Sequence, residues 1–156
     1  MELAQLLVEL GADAAAQAED GWTPLLWVSR WGRVGLARLL LEHSADAAAQ
    51  GQGWATPLHW ASRWGYVGLA HFLVERGADV AAQAEDGRTP LYRASRWDHV
   101  ELARLLVEHG AAAEAEDGRT PLHWASEGGH VGLARLLVEL GADAGAQAED
   151  GRTPLH

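Results

Sequence analysis

Between residues 131 and 140 the apolar side chains fall at Val131, Leu133, Ala134, Leu136, Leu137 and Val138. That spacing lays one wide apolar stripe along a helix and leaves the opposite face polar. The same string, Val-(Gly/Glu)-Leu-Ala-(Arg/His), begins at Val34, Val67, Val100 and Val131. Ahead of each copy stands a shorter apolar run opening on Thr-Pro-Leu, with the threonine at 23, 56, 89, 120 and 153, in steps of 33, 33, 31 and 33. Two independent strings in one phase define a repeat, and each unit predicts a pair of helices. The threonines suit an N-cap, and the proline after each suits the first helical position, where a missing N–H costs nothing. The first helix, as at Thr120–Ser126, stops near Gly32, Gly65 or Gly129, or near Asp98, which tolerates left-handed geometry better than most residues. The second helix of the last unit ends at Gly141, and Ala-Asp-Ala-x-Ala-Gln-Ala-Glu-Asp-Gly then leads to a tight turn at Asp150-Gly151. Neither helix is long enough to be stable alone. Each pair must bury its stripe against the next, which predicts an open stacked solenoid.

These residues carry a family resemblance. Asp-Gly-x-Thr-Pro-Leu-His-x-Ala, then Gly-His, then Leu-Leu and Gly-Ala-Asp follow one another within Asp117–Asp143. On that pattern the chain resembles the ankyrin repeat along essentially its whole length. The resemblance implies an all-α solenoid of helix-turn-helix units joined by β-hairpin fingers, with a concave groove formed by the first helices and the finger tips. It further implies a protein-binding scaffold without catalytic activity. The expected organisation is a single array over residues 1–156, with full repeats at 21–53, 54–86, 87–117 and 118–150. Residues 1–20 match the second half of a repeat and 151–156 the start of another. Neither end carries a polar capping repeat, which leads to the expectation of a longer array or of ends covered by other chains. Head-to-tail self-association through the incomplete ends is the structural alternative to a binding module.

Composition narrows the choice of partner. Twelve basic against twenty-two acidic residues give a net charge of −10, which argues against nucleic acid or an anionic membrane as the main partner. No apolar run approaches the roughly 20 residues needed to span a bilayer. The chain has no cysteine, so disulfides and thiolate metal sites are excluded and an intracellular, cytoplasmic location is permitted. All twelve basic residues are arginine, and Lys, Ile and Asn are absent, a bias that a GC-rich gene produces without functional selection.

Candidate chemistry is sparse. Of the eight histidines, His59, His123 and His156 occupy the fourth place of Thr-Pro-Leu-His, where the resemblance implies a hydrogen-bonded tie between neighbouring units. Leu26 and Tyr92 take that place in other units, which argues against a shared catalytic duty. No histidine pair has zinc-site spacing, and no nucleophile elbow, phosphate loop or dinucleotide fingerprint occurs. No catalytic residue, metal or cofactor is therefore expected. Acidic pairs at successive finger tips, Glu19-Asp20, Glu85-Asp86, Glu116-Asp117 and Glu149-Asp150, suit turn chemistry and solvation, or alternatively an acidic edge for a basic partner.

The eight tryptophans are not required by the repeat. Trp27, Trp60 and Trp124 share one register, with Arg93 in the third full unit, and are expected between units as core. Trp31, Trp64 and Trp97 share another, each preceded by Arg30, Arg63 or Arg96. Stacked units would place these pairs roughly 10 Å apart, as a ladder facing the groove. Arg and Trp are both enriched in binding hot spots. The expected protein-binding residues are therefore Arg30, Trp31, Arg63, Trp64, Arg96 and Trp97. Trp22 and the finger-tip Trp54 extend the aromatic patch, and Glu85 and Asp86 belong to the acidic edge. The ladder stops at Glu127-Gly128, and the finger before it, residues 110–118, is two residues short, marking the junction where the stack is expected to split first. Gly35, Gly68 and Gly132 stand where Glu2 and Glu101 stand in other units, weakening the first turn of those helices.

Overall fold

The computed structural model describes Leu6 and residues 10–111 and 118–156. The chain divides into two compact units, residues 1–79 and 80–156. In the first, α1 (Pro24–Arg30) and α2 (Val34–Glu42) form one pair, and α3 (Pro57–Trp64) and α4 (Val67–Glu75) the next. In the second, α5 (Pro90–Arg96) and α6 (Val100–Glu108) are followed by α7 (Pro121–Glu127) and α8 (Val131–Glu139). Within each unit first helix packs on first helix and second on second: α1 on α3 and α2 on α4, then α5 on α7 and α6 on α8. The fold is the all-α repeat of stacked helix pairs that the Thr-Pro-Leu spacing predicts.

The first helices form where they do because their starts are satisfied locally. Thr23 Oγ1 accepts from the Leu26 N–H at 3.3 Å, and Thr89 Oγ1 from the Tyr92 N–H at 3.2 Å. A leucine in each first helix, Leu25, Leu58, Leu91 and Leu122, is buried, as are Leu69, Leu73, Leu102, Leu106, Leu133 and Leu137 of the second helices. The turn between the helices of a pair needs one left-handed residue, supplied by Gly32 (φ 64°), Gly65, Asp98 (φ 57°) and Gly129. At Gly32 the need is double, since a Cβ there would lie 2.8 Å from the Tyr66 ring.

The fingers are tighter than hairpins. Asp20 Oδ1 accepts from the Trp22 N–H, Asp86 Oδ1 from Arg88 and Asp150 Oδ1 from Arg152, at 3.2, 3.2 and 3.0 Å. Two backbone bonds close each of these turns: Ala18 N–H to Trp22 O with Gly21 N–H to Ala18 O, Ala84 to Arg88 with Gly87 to Ala84, and Ala148 to Arg152 with Gly151 to Ala148, at 2.8 to 3.0 Å. Both bonds lie within a five-residue turn and no ladder extends beyond it, so no strand occurs among the described residues, where the resemblance implied β-hairpins. The finger at Gly53-Trp54 has no Asp and makes instead a short 3₁₀ turn, Gln52–Trp54, with Trp54 itself left-handed (φ 55°). The shortened finger and its Glu116-Asp117 pair fall largely on residues 112–117, outside the described residues. The helix pairs on either side of it pack together within one unit.

Candidate functional site

The two buried histidines are consumed by structure, and the exposed His156 repeats their cap on Thr153. The Thr120 N–H donates to His123 Nδ1 at 3.0 Å, so Nδ1 is the unprotonated ring nitrogen and the Thr120 hydroxyl also donates to it, at 3.0 Å. Nε2 then carries the proton and donates to the Arg152 carbonyl in the following finger at 3.1 Å. One imidazole thus caps its own helix and fastens the next finger. His59, fully buried, makes the same cap: the Thr56 N–H donates to Nδ1 at 3.1 Å and the hydroxyl lies at 2.8 Å. Neither ring is presented to a substrate.

In residues 1–79, Trp22, Trp27, Trp31 and Trp60 gather around Arg30 and one another. Trp22 is expected on the surface patch, and the structure corrects this: only 7% of it is exposed. Its indole lies 4.5 Å from the Trp27 ring and 5.2 Å from the Trp60 ring, both tilted, a geometry favoured by aromatic quadrupoles. Trp27, packed on Trp22, is 45% exposed, correcting its assignment to the core. Trp60 is half-buried. The Arg30 guanidinium is held over three indoles, 5.1 Å from the Trp60 ring centre, 5.7 Å from Trp22 and 5.9 Å from Trp31. Arg63 lies 5.6 Å from the Trp64 ring. Trp31 and Trp64 themselves are 62% and 48% exposed, at the ends of two neighbouring helices. Trp54, at its finger tip, is 58% exposed.

In residues 80–156 the corresponding register behaves differently. Trp97 is 53% exposed, but Trp124 is buried, edge-on to Tyr92 at 4.9 Å. The Arg119 guanidinium lies 4.0 Å from the Trp124 ring centre, and Arg96 lies 5.6 Å from it. Arg119 also pairs with Glu127 at 3.0 Å. Where the ladder loses its tryptophan, Gly128 is covered by the His130 ring, and any Cβ there would collide with it. His130 Nε2–H donates to the Arg96 carbonyl at 3.2 Å, and Nδ1 lies 3.8 Å from Asp98. The departure from Arg-Trp is thus matched by a histidine that fastens the start of α8 to the end of α5. Arg96, Trp97, Trp124, Glu127, Gly128 and His130 line an open cavity of about 390 Å³. His130 was not singled out in the sequence, although the signal was there, in the ring that follows Gly128-Gly129.

The acidic pairs are divided in role. Asp86 holds its turn and lies 3.3 Å from Arg88, and Asp150 lies 3.7 Å from Arg152. Glu85, like Glu19 and Glu149, is exposed. No group of three or more His, Asp or Glu side chains that could hold a metal ion occurs among the described residues. No helix among them is long and apolar enough to cross a membrane.

Threonine-capped helix pairs, histidine ties to the next finger, and turns closed by Asp-Gly define a repeat built for stacking, with its variable side chains at the edges. A profile of ankyrin repeats (three copies) matches residues 1–84 and again residues 81–148. The chain belongs to the ankyrin repeat family. A comparison with curated proteins returns no match.

Proposed function

We propose that the chain is a non-enzymatic binding module that holds a partner protein through the ends of its first helices and the neighbouring finger tips. Ankyrin repeats generally mediate protein–protein interaction. The observation that carries the finer reading is that Trp31, Trp64 and Trp97 are all about half or more exposed, while the cores of the same units are filled by leucine. A large indole left in water costs solubility and contributes little to folding, and tryptophan and arginine are both enriched in binding hot spots. The contact residues in this reading are Arg30, Trp31, Arg63, Trp64, Arg96 and Trp97, with Trp54 at its finger tip and Glu85 on the acidic edge. Trp22 supports the surface from beneath. His59 and His123 are occupied as caps. Nucleic acid and membranes have no part in this reading.

The test is a pull-down with the full chain against a variant carrying Trp31→Ala, Trp64→Ala and Trp97→Ala. Retention of the partner by the triple variant would sink the proposal. Head-to-tail self-association is the second reading, and exposed Val131, Val138 and Leu155 favour it. Light scattering across a concentration series separates the two, since a strict monomer removes the second.

A further inference from the structure

We infer that the α1/α3 face of residues 1–79 receives an acidic segment of the partner protein, one that carries an aromatic or long aliphatic side chain beside its carboxylates. The inference rests on the proposed function, because it names the chemistry of the partner at the same surface. Its motivation is the placement of charge. The whole chain carries a net charge of −10, yet residues 21–41 and 52–74 contain no Asp or Glu at all. Those segments hold α1, α3, the turns that follow them and most of α2 and α4, and they contain Arg30, Arg33, Arg38 and Arg63. The acidic residues of this unit are confined to its fingers and to the ends and trailing loops of the second helices: Asp13, Glu19, Asp20, Glu42, Asp46, Glu75 and Asp79 among the described residues. In residues 80–156 the matching segments carry both signs, with Asp98, Glu101 and Glu127 among the arginines. The positive, acid-free face is therefore a property of the first unit, not of the repeat.

The side chains on that face are built for carboxylates. Arg30 is held over indoles within 5.1 to 5.9 Å, and neither Arg30 nor the exposed Arg33 meets a carboxylate among the described residues. A guanidinium whose faces are taken up by aromatic rings keeps its in-plane N–H groups for a planar, bidentate acceptor, and the surrounding rings lower the cost of ordering it. Exposed Trp31 lies beside Arg30 and exposed Trp64 beside Arg63, and both supply apolar contact next to the charge. Arg38 is spent elsewhere, with its guanidinium 4.4 Å from the Phe72 ring. A nucleic-acid phosphate offers similar oxygen chemistry, but a polyanion following the strand would meet the acidic fingers Glu19-Asp20 and the rest of a strongly negative chain. A short acidic stretch of protein avoids that repulsion.

The experiment selects a displayed random peptide library against the full chain, then measures the enriched peptides by calorimetry. The measurements use the parent chain, Arg33→Gln and Trp64→Ala, each checked for native circular dichroism, at low and high salt. The expected result is enrichment of Asp and Glu next to an aromatic or aliphatic residue. Affinity should fall about ten-fold with either substitution, one decade of Kd, and fall again as salt is raised. Peptides that lose affinity with Trp64→Ala but are neutral or basic would overturn the acidic inference and leave the binding surface standing. Peptides indifferent to both substitutions would overturn the surface itself. Failure to enrich any peptide, or equally tight binding of a single-stranded oligothymidylate, would also overturn the inference.

Discussion

Ser44 carries a backbone for which its side chain is unsuited. Its φ is 71°, at the place where Gly77, Gly110 and Gly141 end the second helices of the other units with φ of 86°, 87° and 95°. Left-handed geometry costs a residue with a Cβ roughly 1–2 kcal/mol that glycine escapes. Ser44→Gly is therefore expected to stabilise the fold by about 1 kcal/mol, part of the gain being offset by the greater freedom of glycine in the unfolded chain. A denaturation midpoint that fails to rise would show that the serine hydroxyl is already recovering the strain. A second residue-scale cost sits inside the helices. Ser29, Ser62 and Ser95 are fully buried in one register, and their hydroxyls have no hydrogen-bond partner among the described residues. The register demands a small side chain for helix-on-helix packing, not a hydroxyl. Ser62→Ala removes the unpaired group and improves helix propensity, so urea denaturation should report a gain of about 1 kcal/mol. Loss of stability would mean that the hydroxyl bonds back to its own helix. The serine repeat is plain in the sequence, but its burial is not, because the first-helix face that meets the next unit is set by packing.

At the scale of elements, caps and turns were legible and exposure was not. Thr-Pro-Leu located the start of every first helix, and Gly32, Gly65, Asp98 and Gly129 their ends, because capping is local chemistry. Trp27, Trp60 and Trp124 occupy one register, yet the first is exposed and the last buried, because the outcome depends on Trp22 in one unit and Tyr92 with Arg119 in another. Those neighbours vary from unit to unit, Trp22 standing where Arg119 stands, and sequence spacing carries no side-chain positions. The glycine in the first turn of α8 is a weakness that the sequence did reveal. Nothing lies within 4 Å of a Cβ built on Gly132, and the same is true of Gly68. In α6 the equivalent place is filled by Glu101, in the first turn. Gly132→Glu regains up to about 1 kcal/mol of helix propensity and roughly 0.3–1 kcal/mol from a carboxylate at the positive end of the helix. The melting temperature should rise, and a fall would place the boundary of α8 later than Val131.

Across the whole molecule, the repeat separates the residues that hold the array together from those that face outward, and tryptophan falls on both sides of that division. Trp124 is buried against Tyr92 with Arg119 stacked on it, whereas Trp64 is about half exposed at the end of α3. They stand in the two tryptophan registers of the repeat, Pro-Leu-His-Trp and Ser-Arg-Trp, so a paired comparison sets one register against the other. Truncating a buried aromatic removes its transfer free energy and leaves a cavity, so Trp124→Ala should cost about 3–5 kcal/mol. Truncating an exposed one removes neither, and Trp64→Ala should cost well under about 1 kcal/mol and leave helical circular dichroism intact. Binding should show the reverse order. If Trp64 is a hot spot, its loss weakens partner association by roughly 2 kcal/mol. Chemical denaturation of both variants and calorimetry of Trp64→Ala against the captured partner settle the matter. A loss of several kcal/mol of stability in Trp64→Ala would make these indoles structural. Unchanged stability together with unchanged affinity would make the recurring Arg-Trp pair a neutral copy carried along by repeat duplication.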